Sequence, residues 1–305
     1  MREKNEIVRD LVYKKKEPAK KSVKKIRGVI SDRKFGVEVE FVSTSAQKGN
    51  LCDAVESATS TTCLDRGYDK ATTKAWKIVP DNSISTNHYY SSGFEIVSPI
   101  LSGKKGLREL GDAMDAIKSC DDVSVSDTCG LHVHIDMTDI KFEMLKRICQ
   151  NWIKYETGID LMLKEQRSNE AKNKYCLSVR KNMKFRKLRN DDAIRLIGEA
   201  KNQNALAKMM NAHPKNGQRY FKLNLQNLVS KKRNTLEFRA HEGTVDAETA
   251  KNWVRFLIAF VEMSIQSPMP KPFSDKANKK DVFHNLLTHF IPEHNPPLRD
   301  FYADF

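Results

Sequence analysis

The sequence predicts an α+β fold in which one sheet is covered by helices. Three features carry that expectation. Short segments alternate between polar and apolar residues, long segments repeat their apolar residues at helical spacing, and the two kinds take turns along the chain. Strands lying this far apart in sequence, with helices between them, argue for one mixed domain. No internal repeat is present. With 305 residues the chain can hold one large domain or two modest ones, at roughly 100–200 residues each.

Residues 1–33 read as a basic arm, with a short helix over 3–13 and a linker, KKKEPAKKSVKK, that lacks periodicity. The main domain spans 34–270. Its first strand, Phe35–Val42, alternates Glu38 and Glu40 with Val37, Val39 and Phe41. The covering helices, or a flap from residues 43–75, could keep water out of a pocket. Gly93–Val97 (GFEIV) is a second strand, ended by Ser98-Pro99. Leu107, Leu110, Met114 and Ile117 predict a helix over Lys104–Ser119. The third strand, Leu131–Asp136, lies in CGLHVHID and precedes a helix over Ile140–Leu163, which carries Leu145, Ile148, Trp152 and Ile159 at helical spacing. A helix over 191–210, a fourth strand at Thr235–His241 (TLEFRAH) and a helix over Ala247–Ile265 follow, the last with Asp246 as its N-cap. Residues 271–305 complete the chain as a C-terminal helical extension packed on the core, with a helix over 276–290.

Composition narrows the function. The longest apolar run, Phe256–Val261, is far short of the roughly 18–20 residues that cross a bilayer. The first residues, MREKNEIVRD, are charged and have no apolar signal region, so a cytoplasmic protein without a membrane partner is expected. Six cysteines without a C-x-x-C pair suit reduced, mostly buried thiols. The formal charge of +14 is concentrated in two places: residues 1–34 hold 13 Lys/Arg against 5 Asp/Glu, and residues 163–190 hold 10 against 2. Both segments could meet phosphates on an acidic or nucleic-acid substrate, or simply stay solvated.

The four strands share one peculiarity. Each places ionisable side chains on one face: Glu38 and Glu40, then Glu95, then His132, His134 and Asp136, then Glu237, Arg239 and His241. A solvent-facing sheet also alternates, but it mixes Lys, Thr, Ser and Gln, whereas nearly every residue here is a possible metal ligand. Crowded carboxylates repel one another unless cations hold them. Hard oxygen donors with an imidazole suit Mg²⁺ or Mn²⁺, which commonly bridges protein carboxylates to phosphates and so points to nucleotide chemistry. Arg239 could grip a transferring phosphoryl group or pair with Glu237 or Glu40; both readings stand on sequence alone. The basic stretch at 163–190, with Arg180 among its members, could form a further phosphate-gripping rim. Neither a phosphate-binding G-x-x-x-x-G-K-[ST] loop nor a Gly-x-Ser-x-Gly nucleophile turn occurs.

Taken in order, FGVEVEF, DNSI with GFEIVSPIL, CGLHVHID, and NTLEFRAHEGTVD before a helix bearing Trp253 resemble the amidoligase family related to the glutamine synthetase-like carboxylate-amine ligases. The resemblance covers roughly residues 34–262. It implies a glutamine synthetase-like catalytic core with a mostly antiparallel sheet, and ATP with two divalent cations (Mg²⁺ or Mn²⁺) joining a carboxylate to an amine through an acyl phosphate. It also implies roles. Glu38, Glu40, Glu95, His132 and Glu237 match metal ligands; His134 lies nearer the nucleotide phosphates; Arg239 steadies the phosphoryl group. Asp81 orients the amine, although Asp81-Asn82-Ser83 stands where the family has Asp-Gly-Ser.

Two other classes compete. An H-x-H strand also opens the binuclear zinc sites of amide-hydrolysing barrels, but that fold needs eight β/α units and about half that number is legible here. A non-enzymatic nucleic-acid binder would explain the basic segments, yet the acidic sheet face would repel phosphates without metal.

Overall fold

The computed structural model describes residues 31–67, 71, 73–86, 90–169, 174–213, 219–230, 233–290, 298, 301 and 302. Among them one sheet gathers β1 (Lys34–Thr44), β2 (Cys63–Asp65), β3 (Trp76–Pro80), β4 (Ser91–Val97), β5 (Leu101–Ser102), β6 (Gly130–Asp136), β7 (Leu223–Asn224) and β8 (Thr235–Glu242). Its order is β2-β3-β4-β1-β6-β8-β7, with β5 also paired to β1. Only β2 and β3 run parallel; the other pairs are antiparallel. The helices are α1 (Lys48–Thr59), α2 (Gly103–Ser119), α3 (Phe142–Ile159), α4 (Glu165–Ser168), α5 (Asn190–Gly198), α6 (Gln203–Met210), α7 (Gln226–Ser230), α8 (Ala247–Gln266) and α9 (Lys279–Phe290). The result is a mixed α and β architecture with a mostly antiparallel open sheet.

The core explains the arrangement. Val37, Val39 and Phe41 of β1, Leu131, Val133 and Ile135 of β6, and Leu236 and Phe238 of β8 join one apolar cluster with Leu110 and Met114 of α2, Trp152 of α3, and Trp253 and Phe260 of α8. Trp152 links the layers directly, its ring 5.5 Å from Phe238 and 5.8 Å from Phe260. Burying the apolar side of every strand this way forces the alternate residues, the acids and histidines, onto the other face. At the C-terminal side, Phe290 of α9 stacks on Phe260 at 4.8 Å and meets Tyr155 edge-on at 5.1 Å.

Several expectations need correction. Residues 43–75 are not a flap: they hold α1, which buries Leu51 and Val55 against the core, and β2 at the sheet edge. The alternation in β2 is too short, and the apolar stripe of α1 too narrow, to be read without the partner surface. The predicted helix over 191–210 is two helices, because Asn202 leaves the helical path and caps α6 by accepting from the Ala205 N–H at 2.9 Å. The long helix ends at Ile159 and continues as a 3-10 turn over Asp160–Met162. Arg33, assigned to the basic arm, is nearly buried and bonded to Asp139 and Glu262, so the folded body takes it in. The predicted helix over 3–13 and most of the basic arm lie outside the described residues. No described helix is long and apolar enough to cross a membrane.

Candidate active site

Register brings the acidic side chains together. β1 lies between β4 and β6, with Glu40 opposite Glu95 on one side and Glu38 opposite His132 on the other; His134 in turn stands opposite Glu237 across β6 and β8. Four strands thus place six functional side chains on adjoining positions of one face, all of them buried. They line a cavity of about 640 Å³ with Asp81, Arg167, Tyr220, Asn224 and Arg233.

Two groups of ligand atoms stand out. Glu38, His134 and Glu237 can each offer one atom, and these lie within 4.8 Å of one another; so do atoms of Glu40, Asp81 and Glu95. His132 joins the two, its Nδ1 at 3.7 Å from Glu38 and its Nε2 at 3.7 Å from Glu40. The expectation had His132 as the ligand and His134 near phosphates. The register makes His134 the imidazole of the first group, 3.2 Å from Glu38, and sets His132 between the groups. Asp81, expected only to orient an amine, reaches the second group. Its turn is fixed by Ser83, which donates to Oδ1 from its N–H at 2.8 Å and its hydroxyl at 2.6 Å. This turn lies so close over β4 that a Cβ on Gly93 would stand 2.5 Å from the Asp81 carbonyl oxygen.

The donor set fits divalent cations. Three carboxylates make one group, and two carboxylates with one imidazole make the other, the hard-donor chemistry of Mg²⁺ or Mn²⁺. Electrostatics keeps two of these carboxylates, Glu38 and Glu237, ionised. Burial pushes the Glu38 carboxyl up, but the His134 and His132 imidazoles together hold it well below the usual carboxylate range. Glu237 behaves alike: burial acts upward, and Arg239 and His134 outweigh it. Burial, aided by Arg239, lowers His132 and favours its neutral form. On His134 burial also acts downward, but Glu38 and Glu237 raise it overall.

Arg239 is the cation of the cavity that touches Glu237 and His132. It bonds the Glu237 carboxylate and lies 3.4 Å from His132 Nδ1, with its guanidinium over the Tyr220 ring at 5.9 Å. Its buried Nε has no hydrogen-bond partner among the described residues, a donor left for an anion in the cavity. The ion pair and the anion grip, alternatives on sequence alone, are therefore both within its geometry.

A β-bulge decides the rest of β8. Two steps along β6, from Leu131 to Val133, match three along β8, from His241 to Phe238, so Arg239 and Ala240 together face His132. The extra residue reverses the alternation beyond it. His241, expected beside Glu237 and Arg239, pairs with Leu131 and turns into the core, its ring 4.9 Å from Trp253. Arg167 braces the bulge, donating to the Arg239 carbonyl at 2.6 Å and to the Ala240 carbonyl at 3.3 Å.

Arg180, expected at the nucleotide, is elsewhere. Its guanidinium donates to the carbonyls of Phe185 and Leu188, both at 2.6 Å, and to Asn190 at 2.8 Å, and it lines a separate cavity. Among the described residues of the basic stretch, Arg167 lines the acidic cavity, whereas Arg180, Lys181, Arg186, Lys187 and Arg189 line the separate one. Asp136, whose role was open, accepts from the Thr138 N–H and hydroxyl at 3.1 and 2.5 Å and shapes the turn after β6.

Three site residues escaped the sequence reading. Arg233 donates to Glu38 at 3.2 Å, Asn224 donates to Glu237 at 2.7 Å, and Tyr220 underlies Arg239. Arg233 closes a short basic run that carries no periodicity to mark it. Asn224 belongs to a strand of two residues, too short for any alternation to show.

A family model described as "Putative amidoligase enzyme" matches residues 31–261. No curated protein matches the chain.

Proposed function

The chain belongs to the amidoligase family, and from that membership we propose that it is an ATP-dependent carbon-nitrogen ligase built on a glutamine synthetase-like core. The observation that carries the proposal is the pairing of two acidic groups around His132, with Arg239 beside them, in one cavity. A hydrolase needs a water-activating site; two carboxylate-rich groups next to an unpaired guanidinium N–H suit a polyphosphate brought against a carboxylate.

Glu38, His134 and Glu237 would hold one divalent ion and Glu40, Asp81 and Glu95 a second. Such ions neutralise the phosphate oxygens and let two anions approach. The protein's residues do the remainder. Arg239 grips the γ-phosphoryl group as it moves from ATP to the carboxylate oxygen of the acid, giving ADP and an acyl phosphate. Asn224 and Tyr220 keep Arg239 and Glu237 in place, and Arg233 at the other end of Glu38 narrows the cavity against water. The amine nitrogen then attacks the acyl carbon, phosphate leaves with the C–O electron pair and carries off the proton the amine gives up, and Asp81, more exposed than Glu40 or Glu95, orients the amine.

The test is ATP turnover against pooled amines and carboxylic acids, with mass spectrometry for a product lighter than its parts by one water. ADP and phosphate are expected. AMP, or amide cleavage that needs zinc and no ATP, would overturn the reading.

A further inference from the structure

Away from the acidic face, α3, α9 and the segments 180–190 and 273–279 enclose a second cavity of about 550 Å³ that shares no lining residue with the first. Its cations are Lys154, Lys181, Arg186, Lys187, Arg189 and Lys279, beside the structural Arg180; the acid among its lining residues is Asp275. Asp275 is engaged, accepting from the Asn190 N–H at 2.8 Å, and Arg189 pairs with Asp192 at 3.3 Å. The other five cations make no ion pair among the described residues, although Asp160 is near enough to Lys181 and Lys279 to feel their charge. Like charges gathered in a concave site repel one another, and a bound polyanion removes that repulsion.

The cavity is built rather than incidental. Arg180 spends its whole guanidinium on holding the 185–190 loop in place, as the bonds above show. Both Glu156 oxygens anchor the start of that loop, accepting from the Val179 and Arg180 N–H groups at 2.9 and 2.8 Å. The floor is apolar, with Ile153, Phe273 and Val282. Lys154 is half-buried, its ammonium 4.7 Å from the centroid of Tyr155 and 4.8 Å from that of Phe273. A volume of 550 Å³ suits a small molecule, and the ring of separate cations suits several phosphate groups at once.

We propose that this cavity is a second ligand site that binds a small molecule carrying several phosphate groups, independently of the acidic site. The probe is inorganic tripolyphosphate, titrated calorimetrically into the full chain with EDTA present, so that divalent ions cannot draw it to the acids. One saturable site is expected. The double variant Lys181→Glu/Lys187→Glu, on the exposed loop, should weaken it at least tenfold, while Arg239→Ala should change it less than twofold. Lys154→Gln, which tests the floor without charge reversal, should weaken it severalfold. The melting temperature of each variant reports whether it is folded. Non-saturable binding, equal binding by wild type and the loop variants, or loss of binding in Arg239→Ala would overturn the proposal. So would tight binding of a single-stranded oligonucleotide, lost in the loop variants, with none of tripolyphosphate; that result would make the surface a nucleic-acid contact.

Discussion

His241 stands opposite Leu131, and that pairing turns its ring away from the acidic face onto the indole of Trp253, 4.9 Å between centroids. The histidine is a core residue, kept toward its neutral form chiefly by burial. His241→Phe should therefore retain ligase activity and divalent-ion binding, and His241→Ala should cost about 2–4 kcal/mol in chemical denaturation by leaving a cavity. Loss of ion binding in His241→Phe would show that the bulge does not do what the register says.

The second prediction concerns the acids. Mg²⁺ or Mn²⁺ should raise the melting temperature, by an amount equivalent to about 2.7 kcal/mol when the ion is at a hundredfold excess over its dissociation constant. Glu38→Gln and Glu95→Gln, one from each group, should each lose part of that gain, and chelation should abolish it. An unchanged ion-induced shift in both variants would dissociate the acids from metal binding.

Replacing Arg239 by lysine keeps a charge but loses the planar fork and the unpartnered Nε. Arg239→Lys should lower kcat by about 10²-fold or more with a small change in melting temperature. Near-wild-type turnover would reduce Arg239 to the ion pair with Glu237.

Arg33 connects the entry of β1 to two distant elements: it donates to Asp139 at 2.7 Å, to the Asp136 carbonyl at 2.8 Å and to Glu262 of α8 at 2.6 Å. Arg33→Ala should destabilise the chain by about 1–3 kcal/mol, since Glu262 and the carbonyl lose a charged donor. Wild-type stability of Arg33→Ala in chemical denaturation would contradict this bracing role.

Asp246 caps α8 through the Thr249 N–H at 2.9 Å, and that bond holds its carboxyl below the usual aspartate range. Asp246→Ala should cost about 0.5–1 kcal/mol, the low part of the capping range because half of the side chain is exposed. The folded value lies below the unfolded one, so this stability is fully present above about pH 4 and disappears as the pH falls through the folded value. Stability curves of wild type and variant should therefore converge in acid.

The candidate ligands were legible because alternation is a local property: once one face of a strand is apolar, the sequence assigns the other face residue by residue. Glu38, Glu40, Glu95, His132, His134 and Glu237 could be read in this way, as could the main strands and the helices with broad apolar stripes. Alternation also gave Arg239, and the family resemblance added Asp81 to the same site. Tertiary structure decided what depends on pairing between strands. Folding set Glu38 against both His132, its register partner, and His134, which alone of the two stands opposite Glu237, and it brought Asp81 beside Glu40 and Glu95. One extra residue in β8 sent His241 to the core, which no pattern within that strand announces, because a bulge exists only relative to the strand beside it. Arg180 left the site it was expected in, and Arg233 entered it without having been read there. A charge in the sequence has no address until folding gives it neighbours, and here the neighbours of Arg180 are backbone carbonyls while that of Arg233 is Glu38.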